Sequence, residues 1–489
     1  MPVKETIMKF QFLTNSRRVA QTCAAVLLAV LVAYGAAGRA FKKSPPGLQP
    51  ADTGWKTAED LKVRAGLSQT KVVQGSDGLI YLQVDLEAPD GVKTGSSRKP
   101  TDFVIVLDRS GSMADDRKMD YAKKAIDSLI NQLREGDRFA LVDFDSIVET
   151  PVPLTEATSG AKDRFRSALR SIDPRGGTNL GGGLVKGIDE MRAGGRAVGH
   201  AQRLVLLSDG LANEGITGQT ELNQIAARAV SGEFAISTIG VGLDFNESLM
   251  SSLADYGTGN YTFLENLASL DKVLAQEFYG ASQVLASDLR VELDLSSGIA
   301  VTDASGYPVD REGSKFIVRP GHLYQGQRKT LFVSLKLPTG STYTKSLGQA
   351  SVSYRIQDRF HTVPLFGEEM KVACLPPERR EDAIASIVPG TFKEAWTQNN
   401  YGKLLKDNAE RVKSGDRAGA LGGISAFKSK LEEAYAASPA PEMKKQLDEL
   451  GRLEGEVNDA FTGPDQDMKA KRLSKGYQYQ GIQQQRKSN

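Results

Sequence analysis

From Phe103 onward, short unbroken apolar runs alternate with helical stripes. FVIVLD (103–108), RFALVDFD (138–145), RLVLLSD (203–209) and AISTIGVG (235–242) show little polar alternation, so each predicts a strand covered on both faces. Between the first two, Ala122, Ala125, Ile126, Leu129, Ile130 and Leu133 fall at helical spacing, predicting a helix over 119–133. Further helices are expected over 161–171, 180–191, 221–230, 246–256 and 267–278, and IVETPVPLT is expected to add a short antiparallel edge. Strand–helix alternation of this kind predicts a doubly wound α/β fold, with a mostly parallel sheet between two layers of helices.

On either side of this region the period is two. Ile80, Leu82, Val84 and Leu86 alternate, as do Leu289 to Leu295, Leu331 to Leu337 and Ala350 to Ile356. These stretches predict an all-β, sandwich-like unit, completed by the lone strand at 80–86 with the α/β region inserted between its parts. After Pro376-Pro377 the strands stop, and helices are expected over 391–413, 417–436 and 442–457. From Gly463 the chain is polar and rich in glutamine, which predicts disorder. The expected organisation is a signal peptide or membrane anchor (1–40), a linker and β segment (41–98), the α/β domain (99–280), the β-sandwich-like domain (281–376), a helical region (377–462) and a disordered tail (463–489).

Composition narrows the function classes. Sixty-two basic and 60 acidic residues give a formal net charge of +2 over 489 residues, which offers no case for nucleic acid as partner. Two cysteines, Cys23 and Cys374, and three scattered histidines, His200, His322 and His361, argue against a zinc site. Lys4, Lys9, Arg17 and Arg18 precede an uncharged, mostly apolar run over 19–38, followed by Arg39, Lys42 and Lys43. A basic region before such a run predicts export, by a cleaved signal or a retained anchor. The expected location is periplasmic, membrane-anchored or extracellular, with membrane association through this segment if it is not cleaved.

Candidate chemistry gathers at predicted strand ends. Asp108-Arg109-Ser110-Gly111-Ser112 places a carboxylate and two hydroxyls at alternate positions where the first buried strand ends. Asp209 ends RLVLLSD, and Thr178 lies in Gly176-Gly177-Thr178-Asn179-Leu180 before a helix. Open α/β sheets bind ligands at the carboxyl ends of their strands. An all-oxygen set suits a hard cation such as Mg²⁺, Mn²⁺ or Ca²⁺, and a site with few carboxylates suits Mg²⁺, which keeps several waters. Each residue alone has a plainer reading as a turn former or helix cap; together at one sheet edge they favour metal. Asp115, Asp116 and Asp120 are expected to form a solvated helix start, and Asp145 a strand-end turn. Gly181, Gly182 and Gly183 are not followed by the lysine of a phosphate loop.

The pattern Asp108-x-Ser110-x-Ser112, then Thr178, then Asp209, resembles the metal-ion-dependent adhesion site of von Willebrand factor type A domains, and the flanking regions resemble bacterial exported envelope proteins carrying that domain. The resemblance implies that Ser110, Ser112 and Thr178 are hydroxyl ligands, with Asp108 and Asp209 acting directly or through water. It implies a non-enzymatic, metal-dependent protein-binding module that captures an Asp or Glu side chain of a partner. The alternatives are an envelope scaffold in which the metal only stabilises the fold and, less favoured, a metal-dependent hydrolase, for which no general base is apparent.

Overall fold

Strand β1 (Thr101–Asp108) shows how the sequence builds the central domain. All eight of its residues are buried, and alternate side chains enter two separate cores. Phe103, Ile105 and Leu107 point into one, Val104 and Val106 into the other. In this computed structural model, residues 52–89, 99–195, 197, 199–230, 234–265, 267–356, 359–437 and 441–486 are described. The segment expected to be an N-terminal signal or anchor therefore lies outside the described residues. Among those described, no helix is long and apolar enough to cross a membrane.

The central sheet has six strands: β1, β2 (Arg138–Phe144), β3 (Val148–Glu156), β4 (Ala201–Ser208), β5 (Ala235–Val241) and β6 (Thr258–Leu264). Their spatial order is β6-β5-β4-β1-β2-β3, with only β3 antiparallel to its neighbour. Helices α1 (Lys118–Gln132), α2 (Ser159–Arg170) and α6 (Leu270–Ala281) supply the core on one face. Helices α3 (Leu180–Ala193), α4 (Gln219–Val230) and α5 (Glu247–Tyr256) supply it on the other. The chain steps from β1 to β2 and β3, then returns across β1 to β4. The order thus reverses between β1 and β4, and ligand crevices open at the carboxyl ends of such a pair.

The doubly wound α/β expectation holds for this region, but β6 was not anticipated. Its sequence, TGNYTFL, carries a glycine and asparagine pair after its first residue, and its register to β5 shifts between Thr258 and Tyr261. Glycines of α3 serve packing against the sheet. A Cβ on Gly183 would sit 2.5 Å from Phe144 Cδ1, and one on Gly187 would sit 2.3 Å from Val106 Cγ2. Ala normally gains about 1 kcal/mol over Gly inside a helix. At Gly187 overpacking is expected to reverse that sign, and Gly187→Ala should lower stability by roughly 1–3 kcal/mol in a denaturant titration.

The β unit has two main sheets, one of five strands and one of six counting Leu323–Tyr324 paired to Val284–Leu295, beside a three-stranded sheet of Tyr343–Ser346, Lys371–Leu375 and Lys71–Val73. One runs Lys56–Ala58, Leu61–Leu67, Leu79–Glu87, Arg328–Lys336, Ala300–Ala304. The other runs Val309–Glu312, Lys315–Val318, Val284–Leu295, Gly348–Ile356, Arg359–Phe366. Leu79–Glu87 pairs along its whole length with Arg328–Lys336, so strands from both sides of the α/β region share one sheet. The stretch expected as linker and β segment supplies four strands, since Leu61, Val63, Ala65 and Leu67 also alternate inward.

Two helical expectations need correction. The helix expected over 391–413 is broken into Pro389–Ala395, a π-helical turn at Trp396–Asn400, and Tyr401–Lys413. The turn lies against the β unit, where Asn399 Nδ2 donates to the Phe332 carbonyl at 3.3 Å. The tail expected to be disordered forms a twenty-residue helix, Gln466–Gln485. Its buried positions are Ser474, Lys475, Tyr477, Gly481, Ile482 and Gln485, of which only Tyr477 and Ile482 are large and apolar. Tyr479 packs edge-on against Tyr261 and Phe263, and Ile482 enters the α3–α5 core.

Candidate metal centre

β1 and β4 end side by side, and their last residues converge. Asp108 closes β1; its Oδ1 accepts from the Ser110 amide at 2.8 Å and its Oδ2 from the Ser208 hydroxyl at the end of β4. The Ser110 and Ser112 hydroxyls lie 3.1 Å apart, and Ser112 Oγ donates to Asp209 Oδ1 at 2.8 Å. A Cβ on Gly210 would lie 3.2 Å from Thr178 Oγ1 and 3.7 Å from Asp108 Oδ2. Both oxygens therefore face the bare α-carbon of Gly210, and a side chain there would fill the space between them. All five residues selected from the sequence meet at this edge.

Three loops are tied together around the cluster. The Gly111 amide donates to Gly176 O at 3.2 Å, and the Arg175 amide to Arg109 O at 2.8 Å. The Thr178 amide donates to Asn213 Oδ1 at 2.8 Å, while the amides of Asn213 and Glu214 donate to Thr178 O. Asn179 caps α3, its Oδ1 accepting from Gly182 N at 2.9 Å. Thr178 is thus one residue before the cap and does not cap the helix itself, which leaves its hydroxyl for the site.

Asp108 and Asp209 are both fully buried. Burial pushes the Asp108 carboxyl up to about 6, with Asp209 adding to the rise and hydrogen bonds from Ser208 and Ser110 opposing it. Beneath the loop, the buried Arg109 guanidinium ion-pairs with Asp143 at 3.3 Å, Asp145 at 3.1 Å and Glu149. Burial lifts the Asp143 carboxyl to about 6, partly offset by Arg109. Asp145 makes a strand-end turn, accepting from the Ile147 amide at 2.6 Å, and also pairs with Arg175 at 2.6 Å. Asp115 and Asp116 are exposed in the 3₁₀ turn Gly111–Arg117, and Asp120 pairs with the exposed Arg117.

One charged residue in contact with this cluster escaped sequence reasoning. Lys118, the first residue of α1, is buried with its Nζ 2.5 Å from Asp209 Oδ2 and 3.3 Å from Ser112 O. A basic residue in the first turn of a helix opposes the helix dipole, and that mismatch was the available signal.

The oxygen set fits a hard divalent ion: two carboxylates, three hydroxyls and a glycine cradle, with neither His nor Cys among them. A doubly wound sheet with this oxygen set between β1 and β4 defines a domain of the von Willebrand factor A class. Residues 102–276 match the sequence profile described as "von Willebrand factor type A domain", and the chain carries that domain.

The chain is 28% identical over 216 residues to the uncharacterized protein YfbK of Escherichia coli (strain K12), covering 44% of this chain and 37% of that protein. It is also 28% identical over 233 residues to inter-alpha-trypsin inhibitor heavy chain H1 of Sus scrofa, covering 47% of this chain and 24% of that protein. The matches therefore span well under half the length of these two relatives. A solved von Willebrand factor type A protein from Catenulispora acidiphila superposes with a TM-score of 0.60 at 14% identity, over 88% of this chain and 99% of that one. Nearly the whole architecture, β unit included, thus has a counterpart of the same fold. Domains of this type commonly mediate protein–protein interaction.

Proposed function

We propose that Asp108, Ser110, Ser112, Thr178 and Asp209 hold one divalent cation, Mg²⁺ in the first instance, and that the ion captures an Asp or Glu side chain of a protein partner outside the cytoplasm. The observation that supports this best is the gathering of the five residues at the β1–β4 switch point, where Asp108, Ser110, Ser112 and Asp209 are chained by hydrogen-bond-distance contacts and Thr178 Oγ1 and Asp108 Oδ2 face the bare α-carbon of Gly210. Ser110, Ser112 and Thr178 supply hydroxyl oxygens; Asp108 and Asp209 supply charge, directly or through water. The donors are too few to fill an octahedral shell, so water completes it, and an incoming carboxylate replaces one water. Exposed Ile147 and Leu211 stand on loops at this same edge and offer apolar rim contacts to a protein partner.

The second reading, a metal that only staples the sheet edge, has less to explain. Ser208 already bonds Asp108 and Ser112 already bonds Asp209, joining the two strand ends through protein groups alone. The deciding experiment is capture of partners from envelope extracts by the exported part of the chain, in Mg²⁺ and in EDTA. Specific partners are expected in Mg²⁺ and are expected to be lost in chelator. Capture that survives EDTA, with metal-dependent melting retained, would favour the staple.

A further inference from the structure

Lys118 is placed at some cost. Lysine is seldom buried, yet this residue is 6% exposed. It opens α1, where a cation is disfavoured by the helix dipole. The two residues before it, Asp116 and Arg117, have φ of 50° and 58°, a left-handed conformation that non-glycine residues avoid. Gly242 leaves room for it: a Cβ there would lie 3.3 Å from Lys118 Cε. Asp244, on the same loop as Gly242, pairs with Lys471 and attracts Lys118 only at longer range, so Asp209 is the hydrogen-bonded counter-charge for Lys118. Three unfavourable local choices therefore combine to put one ammonium group on one carboxylate of the site.

Resting on the metal reading above, we infer that Lys118 is a built-in third charge that trades metal affinity for carboxylate affinity. Asp108 and Asp209 carry two negative charges, and the Lys118–Asp209 pair cancels one of them. A bound divalent ion then leaves the loaded site with one net positive charge. Without Lys118 the loaded site would be neutral. The lysine repels the ion and weakens its retention, and the same repulsion is relieved when an anion joins the shell. Lys118 also occupies Asp209 Oδ2, leaving Oδ1 and the Ser112 hydroxyl bonded to it as the face toward the ion. Asp209 accordingly acts as a charge held in place and shared with a lysine, while Asp108 supplies the uncompensated carboxylate.

The test uses Mn²⁺ as the metal probe and acetate as the carboxylate probe, on the exported chain and its variants Lys118→Met and Lys118→Gln. Mn²⁺ affinity is read by calorimetry, and acetate binding by displacement of Mn²⁺-bound water in water-proton relaxation. Both variants remove the charge; the glutamine keeps a donor to Asp209 if methionine does not fold. Roughly tenfold tighter Mn²⁺ and roughly tenfold weaker acetate are expected in either variant, from a unit charge within a few ångströms of the ion in a partly buried site. Opposite signs are the signature, because a purely structural clamp between α1 and β4 would weaken both affinities together. If Asp108→Asn loses Mn²⁺ while the Lys118 variants leave both affinities unchanged, or move them in one direction, the metal reading stands and the role given to Lys118 is overturned. If the wild-type chain takes up no Mn²⁺, both fall.

Discussion

Removal of residues 466–489 is expected to destabilise the whole chain, with a loss on the order of 5–10 kcal/mol and a marked fall in melting temperature. The helix Gln466–Gln485 buries Tyr477 and Ile482, each worth about 1.5–3 kcal/mol. Just beyond it, Arg486 makes a two-bond pair with Asp255 at 2.7 and 2.8 Å and donates to Gly306 O at 2.9 Å. Both side chains are nearly buried. Truncation would leave Asp255 as a buried charge without that partner, a defect that costs about 3–5 kcal/mol. Lys475 Nζ lies 2.8 Å from Glu247 Oε1 and sits over the Phe245 ring, while Lys471 and Arg472 pair with Asp244 and Glu265. The helix therefore ties the α/β domain to the β unit. Differential scanning calorimetry checks this, with Arg486→Gln as a single-residue companion expected to show about half the loss. A truncated chain that melts like the full one would mean the helix contributes no packing.

Substitution of Asp108 by asparagine is expected to abolish divalent-ion binding, by a factor of at least about 100, and to change how stability depends on pH. The Asp108 carboxyl titrates near 6 in the folded chain, above the usual value of about 3.9 for an aspartate. For a raised acid the proton stabilises the fold. The contribution is complete below the unfolded value and is lost as pH rises through about 6, for a change of roughly 3 kcal/mol. In the metal-free chain, wild type should therefore lose stability relative to Asp108→Asn between pH 4 and 7. Saturating Mg²⁺ should restore it at pH 7 and have little effect at pH 4.5, where Asp108 is protonated. Melting curves of the two proteins across that range, with and without Mg²⁺, measure the difference. Parallel curves, or an equal Mg²⁺ shift in the variant, would remove Asp108 from the site.

The α/β domain was legible because its strands are apolar on both faces and its helices apolar on one. FVIVLD and RLVLLSD need no neighbour to be recognised, and the acids that end them mark the sheet edge. What stayed hidden was set by tertiary contact. Strand β6 reads as a turn-rich stretch until β5 lies beside it. The last helix hides its inner face in Ser474, Gly481 and Gln485, small or amide side chains that allow close approach: a Cβ on Gly481 would stand 2.7 Å from Gly402 O. Polarity there signals tight helix packing, although composition alone equates it with disorder. Lys118 was passed over because a lone lysine at a helix start looks solvated, and only the position of Asp209, 91 residues away, gives it a partner.

The split β unit also sets an order of assembly. Leu79–Glu87 pairs with Arg328–Lys336, and Thr330 Oγ1 donates to Asp85 Oδ1 at 2.6 Å across 245 residues of chain. As the chain emerges from synthesis or translocation, that strand must wait with an open edge while the intervening α/β domain, closed within its own sequence, is completed. Closing so long a loop from a random coil is slow. A folded domain in between replaces most of that coil with a rigid spacer, so the search that remains is between short flanking segments. The last helix docks after both, and its arrival makes the assembled state persist.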